Sequence, residues 1–311
     1  MNILHPRAFS AAVLWTLGLL FLGSVVHATE SSLACPDWPT CFGTMVPEMS
    51  GGVFWEHLHR LVAGGLLLLW GLGTWLARRE ARDRPWVFRA AMAGMVLLLV
   101  QSVFGGLTVI LRLPDLVSTT HLTLAFSFLI LATVLASATG WSRNATMAPA
   151  AAATTRRWAV AATALIMVQS VLGALVRHTD AGMACPDAPL CLGQVVPPLD
   201  SGLVALHFGH RVLGLVTVLA VVGLVVRAAS VGAPPAVRSL GTGALALVLV
   251  QVGLGVASVL TGLAVVPVSL HTLIAASILV VLTHAATMAS VAEPPAEHLQ
   301  GAPAATSAVG G

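Results

Sequence analysis

The sequence predicts an all-α membrane protein whose eight transmembrane helices form two four-helix bundles, related as parallel repeats. Charged residues are 9% of the 311 residues and hydrophobic residues 57%, which is about a third of the charge of an ordinary soluble domain. Apolar runs of about 20 residues, long enough to cross a bilayer, occur eight times. A pattern of polar residues in the first half recurs in the second.

The first four runs predict an N-terminal half over residues 1–140. Gly52 and Pro114 mark the approximate starts of its second and fourth helices. The first run resembles a cleaved signal peptide, but its counterpart is the fifth run, with Gly23 matching Gly173, which favours a retained helix. The spans are 9–28, 53–77, 87–111 and 118–140.

The next four runs predict a C-terminal half over 158–290, joined to the first by a cytoplasmic linker over 141–157. Because each half crosses the membrane four times, both halves enter it in the same direction. The tail over 291–311, rich in Ala, Pro, Gly and Ser, is predicted to be disordered. The spans are 158–178, 204–227, 239–261 and 268–290.

The placement of arginine predicts the orientation, because cytoplasmic loops of membrane proteins are enriched in basic residues. Both termini are expected in the cytoplasm and the cysteine-containing loops outside, in the plasma membrane. The net charge of +3 therefore reflects topology, and it does not indicate a nucleic-acid partner. The arginines on the predicted inner side are Arg7, Arg78, Arg79, Arg82, Arg84, Arg89, Arg143, Arg156, Arg157, Arg227 and Arg238.

The repeat duplicates two histidines per half but not a neighbouring carboxylate. Because one connecting loop gained a residue, the shift is 150 positions for some pairs and 151 for others. The two halves therefore differ chemically at one matched position, which is Glu56 in the first half and His207 in the second. The matched pairs are Cys35 and Cys185, Cys41 and Cys191, His121 and His271, His59 and His210, Arg60 and Arg211, and Glu56 and His207.

Four histidines, His59, His121, His210 and His271, lie at similar depth near the outer ends of their spans. Ionisable side chains inside a span need a partner, a metal or water. Opposed imidazoles across an apolar bundle are typical of axial haem ligands. Zinc or copper is the alternative, but two histidines per half leave a tetrahedral site incomplete.

Glu56 lies three residues before His59, on the same helical face, where a carboxylate near a haem edge can move protons. A solvated interfacial glutamate is the alternative. Arg60 and Arg211 follow the ligand histidines and are candidate contacts for haem propionates, with snorkelling to the interface as the other reading. The sequence assigns no role to His57, His207 or His284, the last of which lies in the inner half of its span.

The cysteines occur as CPDWPTC and CPDAPLC in the outer loops. The oxidising side of the membrane permits disulfides Cys35–Cys41 and Cys185–Cys191. Closing so short a loop removes little chain entropy. Each bridge is therefore either a rigid staple or a redox-active pair, and the sequence leaves this open.

Together these residues resemble the haem A synthase family. The resemblance covers roughly 9–290 and is carried by E-x-x-H-R at Glu56, LVSTTHL around His121, HFGHR at His207, VSLHTL around His271 and the CPDWPTC loop. The sequence departs from the family pattern before the first cysteine loop, where the basic position is His27. The matching position in the second half is Arg177.

The resemblance implies an oxidoreductase that converts the C8 methyl group of haem O to a formyl group through a hydroxymethyl intermediate, in cytochrome oxidase cofactor biosynthesis. Haem b would be held by His210 and His271, and haem O would enter between His59 and His121, beside Glu56. The resemblance also implies contact with a prenyltransferase that makes haem O. The electron donor, the oligomeric state and the source of the formyl oxygen stay open.

Two rival functions use the same helices. A dihaem b electron-transfer protein would hold permanent haem in both halves, but it gives no reason for the unmatched Glu56. A transporter built from repeats would have helices interrupted by Gly and Pro at the membrane midplane, and such interruptions are not found in the sequence.

Overall fold

The computed structural model describes residues 4–80, 82–142 and 145–294, and in these ranges it is all-helical apart from isolated backbone bridges. Eight helices are long and apolar enough to cross a membrane, so the predicted number of spans is confirmed for the described chain. The protein is a multi-pass membrane protein. Its helices are α1 Leu4–Ala28, α2 Gly51–Ala77, α3 Pro85–Ile110, α4 Asp115–Ala136, α5 Pro149–His178, α6 Gly202–Ser230, α7 Pro235–Leu260 and α8 Val265–Val291.

Three short helical segments accompany the spans. A π-helical turn, Ser137–Trp141, continues α4 at its end. Two 3₁₀ turns, Arg78–Glu80 and Ala181–Met183, follow α2 and α5. The chain therefore leaves these three helices through tightened or widened helical turns.

Helix α5 begins inside the segment that was predicted as a linker. It starts at Pro149, where proline is favoured in the first helical turn, and continues through a run of alanines, the best helix formers. Part of the segment predicted as a linker, 141–157, is therefore helical. Helix propensity extends α5 by more than two turns beyond the apolar run.

The predicted tail also starts later than expected. The backbone of Glu293 pairs with the segment before α5, accepting from the Met147 amide at 3.0 Å and donating to the Ala145 carbonyl at 3.0 Å. The expected disorder is therefore wrong for the chain up to this residue. The rest of the predicted tail, 295–311, lies outside the described residues.

Contacts between helices place the core along the middle of the molecule. Helix α1 contacts α2, α4 and α8, and α5 contacts α4, α6 and α8. Buried aromatic side chains fill the first half, where Phe9 packs on Trp70 and Trp70 packs edge-on against Phe128. We call the contact between α1 and α4 on one side and α5 and α8 on the other the seam.

Candidate functional site

Each of the four matched histidines lies against a glycine of the preceding helix. A Cβ added to Gly23 would lie 3.1 Å from Nε2 of His59, and one added to Gly105 would lie 3.0 Å from Cε1 of His121. The imidazoles therefore occupy space that a side chain on the neighbouring helix would fill. The second half repeats the arrangement. A Cβ added to Gly173 would lie 2.9 Å from Cε1 of His210, and one added to Gly255 would lie 3.1 Å from Cε1 of His271.

Backbone carbonyls orient the histidines of α4 and α8. Nδ1 of His121 lies 3.1 Å from the carbonyl oxygen of Gln101, and Nδ1 of His271 lies 3.1 Å from that of Gln251. Because a carbonyl can only accept, Nδ1 must carry the hydrogen, which leaves the lone pair on Nε2. This is the usual way in which a protein prepares a histidine as a metal ligand.

The histidines of α2 and α6 are held differently in the two halves. The amide nitrogen of Gln169 lies 3.1 Å from Nδ1 of His210 and donates to the His210 carbonyl at 2.9 Å. The matching residue in the first half is Leu19, which has no polar group. Polar side-chain contact therefore restrains the ring of His210 in a way that Leu19 cannot restrain His59.

A cavity of about 390 Å³ opens between the histidines of the first half, within the ~300–1,000 Å³ range of ligand pockets. His59 and His121 both line it, as does Glu56. Most of the wall is apolar. The first half therefore holds an apolar cavity with two imidazoles and a carboxylate in its wall.

Glu56 connects this cavity to the first cysteine loop. Its side chain is buried, accepts a hydrogen bond from the Cys35 amide at 2.8 Å and forms an ion pair with Arg60. At the matching position, Nδ1 of His207 donates to the Ala181 carbonyl at 2.9 Å. Both side chains fasten an outer loop to a helix, but only Glu56 brings a carboxylate to the site.

The two arginines that follow His59 and His210 bind the cysteine loops. Arg60 donates from Nη1 to the carbonyls of Asp37 and Thr40. Arg211 donates likewise to the carbonyls of Asp187 and Leu190, at 2.8 and 2.7 Å. The structure thus places these guanidinium groups against loop backbone, a contact that sequence reasoning missed because it joins residues 20 to 24 positions apart.

Each cysteine loop is closed by its disulfide, Cys35–Cys41 or Cys185–Cys191. In each loop the carboxylate of an aspartate accepts hydrogen bonds from backbone amides of the same loop. Hydrogen bonds from the Thr40 hydroxyl and from backbone amides, chiefly that of Gly43, lower the pKa of Asp37 below its ordinary value. At Asp187 the amides of Gly193 and Leu192 lower the pKa of the carboxyl in the same direction. Both carboxylates are therefore charged at neutral pH.

The first cysteine loop covers the cavity with an indole ring. Trp38 lines the cavity, and its ring lies so close to α3 that a Cβ on Gly106 would be 2.7 Å from Cδ2 of Trp38. The matching residues of the second half are Ala188 and Val256. In the first half a large loop residue lies over a glycine of the helix. The matching positions of the second half hold a small loop residue and a larger helix residue.

Residues of the second half also line the cavity of the first. Arg177 and His178 reach it from the end of α5, and Thr272 from α8. The ring of His178 lies 5.4 Å from that of His27, centre to centre, and its Nδ1 is 3.0 Å from the Thr119 hydroxyl. The two histidines thus meet across the seam, one from α1 and the other from the end of α5.

The histidines without an assigned role have other neighbours. His57 is buried beside the first disulfide, and its Nε2 lies 3.1 Å from the carbonyl oxygen of Met45. His284 bonds to the Ser137 hydroxyl at 2.8 Å, at the end of the molecule that carries the π-helical turn. His57 also lines the cavity that holds His59 and His121, whereas His284 does not.

Comparison with known proteins adds an independent observation. A family model described as cytochrome oxidase assembly protein matches residues 48–283. The chain is 33% identical over 269 residues to the Heme A synthase of Symbiobacterium thermophilum, covering 82% of this chain and 83% of that protein. It is 31% identical over 263 residues to the Heme A synthase of Halalkalibacterium halodurans, covering 82% and 87%.

The chain belongs to the haem A synthase family. The Heme A synthase of Rhodospirillum centenum is a further relative, 29% identical over 308 residues. Membership of the haem A synthase family makes the protein an oxidoreductase-type enzyme that works in haem-related chemistry.

The donor set of this haem A synthase family member suits haem iron better than a free metal ion. Each half offers two imidazoles from separate helices, each packed against a glycine of the preceding helix. The cysteines of the described chain are all in disulfides, so they supply no thiolate to complete a tetrahedral zinc or copper site. Two imidazoles can ligate haem iron axially without any further protein ligand.

Proposed function

We propose that the protein is a haem A synthase of the plasma membrane, which oxidises the C8 methyl group of haem O to a formyl group through a hydroxymethyl intermediate. The observation that carries the proposal is the cavity shared by His59, His121 and Glu56. The names of the relatives agree with it.

The second half would hold haem b as a resident cofactor through His210 and His271. When bound, haem b would supply one-electron chemistry tuned by its two axial ligands. The amide of Gln169 fixes the backbone at His210 through its bond to the His210 carbonyl, and the carbonyl of Gln251 orients the ring of His271. A restrained site lowers the cost of binding, which favours permanent retention.

The first half would receive haem O as the substrate, between His59 and His121. Its histidine on α2 has Leu19 where the second half has Gln169, and it opens to a cavity. A less restrained ligand suits a molecule that must enter and leave. The two halves thereby divide into a substrate half, residues 1–140, and a cofactor half, residues 158–290.

Glu56 would act at the reacting methyl group. A carboxyl group at the cavity wall can accept a proton released from the substrate or stabilise positive charge that develops there. Arg60 and the Cys35 amide hold both of its oxygens, so its position is set by the first cysteine loop. The matching His207 is tied to a carbonyl and cannot serve as an anion.

The first disulfide would connect an outer reductant to this site. The Cys35 amide bonds directly to Glu56, so opening of the Cys35–Cys41 loop would release the carboxylate. The second loop has no carboxylate below it. Its disulfide would act as a staple.

The decisive experiment identifies the haems that the purified protein contains and makes. The wild type should contain haem b and convert supplied haem O to haem A. His210→Ala should lose haem b, whereas His59→Ala should keep haem b and fail to bind haem O. Two haem b per chain, unchanged when haem O is supplied, would instead establish the electron carrier.

Glu56→Gln tests the carboxylate without removing its hydrogen bond to the Cys35 amide. It should retain haem b and haem O but slow haem A formation by at least about 100-fold, the lower range for a general acid or base. Glu48→Gln, at an exposed carboxylate of the same outer segment, is the control and should behave as wild type. Normal turnover by Glu56→Gln would remove this residue from the mechanism.

A further inference from the structure

A cation from the second half lies in the wall of the first-half cavity. Arg177 is in the last turn of α5, and its guanidinium donates from Nη1 to the Ser24 hydroxyl and from Nη2 to the Ser24 carbonyl, both at 2.9 Å. A guanidinium has five N–H donors. Ser24 therefore fixes the orientation of Arg177 and leaves donors free to face the cavity that it lines.

No carboxylate of the described residues pairs with Arg177. The carboxylate in the same cavity, Glu56, is already paired with Arg60. An ionised side chain within a span is costly to keep without a partner. The site consequently has one positive charge that a negatively charged ligand can neutralise.

The repeat does not duplicate this arginine. The position matching Arg177 is His27, and the residue matching Ser24 is Ala174, which has no hydroxyl. Thr272 supports Ser24 through a hydroxyl contact of 3.2 Å, and its match is Leu122. The residues at these three unmatched positions, Arg177, Ser24 and Thr272, form a polar cluster at the seam. All three line the first-half cavity.

We propose that Arg177 binds a carboxylate side chain of the tetrapyrrole in the first-half cavity and so positions the ring between His59 and His121. The proposal rests on the proposed function. Guanidinium matches carboxylate geometry and forms paired hydrogen bonds with it. Ser24 directly follows Gly23, which backs His59, so the anchor lies beside the ligand wall, and the second half completes the substrate site.

The test compares two forms of one ligand. Purified protein that retains its haem b is titrated with haem O and with the dimethyl ester of haem O, and binding is followed by absorption, with His59→Ala defining the signal of the first cavity. The wild type should bind the free acid about thirtyfold more tightly or better, as expected for a desolvated charge pair. Arg177→Gln should lose that preference, and Arg177→Lys should keep part of it.

Arg157→Gln is the matched control, because Arg157 is an exposed arginine on the same helix. It should retain the full preference for the free acid. A preference unchanged in Arg177→Gln would overturn the proposal, as would loss of haem b from that variant, since the guanidinium would then serve the second half. Equal binding of both forms by the wild type overturns the proposal for Arg177, whether or not the variants fold. Failure of the wild type to bind either form overturns the proposed function as well.

Discussion

At the residue scale, the pairing of histidine with glycine shapes both sites. Each imidazole lies within 3.1 Å of the place where a neighbouring glycine would carry a Cβ. Distances of this size are shorter than ordinary carbon contacts. Any side chain at one of these glycines must therefore move the neighbouring imidazole.

Gly173→Ala should weaken retention of haem b. The new methyl group would lie 2.9 Å from Cε1 of His210, so the ring must shift from its position, and displaced ligand geometry typically costs about 10- to 100-fold in affinity. Dissociation of haem b from the purified variant, followed by transfer to an apo-acceptor protein, measures the loss.

The control for this prediction is Gly243→Ala on α7, where an added Cβ meets nothing within 4 Å. Alanine is the better helix former by about 1 kcal/mol, so this variant should be at least as stable as wild type and hold haem b normally. Equal haem b dissociation from both variants would show that Gly173 does not position His210.

Several site residues were accessible from the sequence, and others were not. The four histidines and Glu56 emerged because their spacing is duplicated with one difference. The contact of Gln169 with His210 and that of Arg177 with Ser24 join residues 41 and 153 positions apart. No local pattern encodes such contacts, because they depend on which helices pack together and at what rotation.

At the element scale, the cysteine loops and the helices beneath them are fitted to each other. Trp38 lies on Gly106 in the first half, where the second half has Ala188 and Val256. The small loop residue of the second half leaves room for a larger residue on the helix, since packed interiors have little space for added volume.

Gly106→Val should destabilise the wild type by about 1–3 kcal/mol, the usual cost of overpacking. The same substitution in a Trp38→Ala background should cost much less, because it recreates the pair found in the second half. Thermal unfolding of the four proteins in detergent gives both costs. An equal cost in the two backgrounds would mean that the indole ring does not rest on α3.

The helix boundaries also show where sequence patterns stop being informative. Hydropathy located all eight spans, because crossing hydrocarbon demands a long apolar run. It placed the start of α5 too late, since Pro149 and the alanines after it extend the helix into a segment that is not apolar. Propensity acts there independently of the membrane.

At the scale of the whole molecule, the seam makes the first-half cavity a joint product of both halves. Ser24 of α1 meets Thr272 of α8 and Arg177 of α5, and Thr119 of α4 meets His178. These polar contacts lie where four helices meet. A ligand in the first-half cavity would therefore touch residues of the second half as well.

The orientation of the whole chain is the last prediction. Most arginines lie in the connections predicted to be cytoplasmic, as the positive-inside rule requires. Green fluorescent protein fused to the C-terminus should therefore fluoresce, and alkaline phosphatase fused there should be inactive. Phosphatase inserted in the exposed outer segment near Asp200 should be active. The reverse pattern of activities would contradict the assigned topology.

The sequence by itself determined the class of protein, the eight spans, the four histidines at matched depth and the unmatched Glu56. These follow from composition, periodicity and duplication, which act along the chain. Only the tertiary structure decided that Gln169 restrains one histidine, that Arg60 and Arg211 clamp the cysteine loops and that Arg177 lines the cavity of the other half. Those outcomes depend on distances between helices far apart in sequence, and such distances are set when the seam packs.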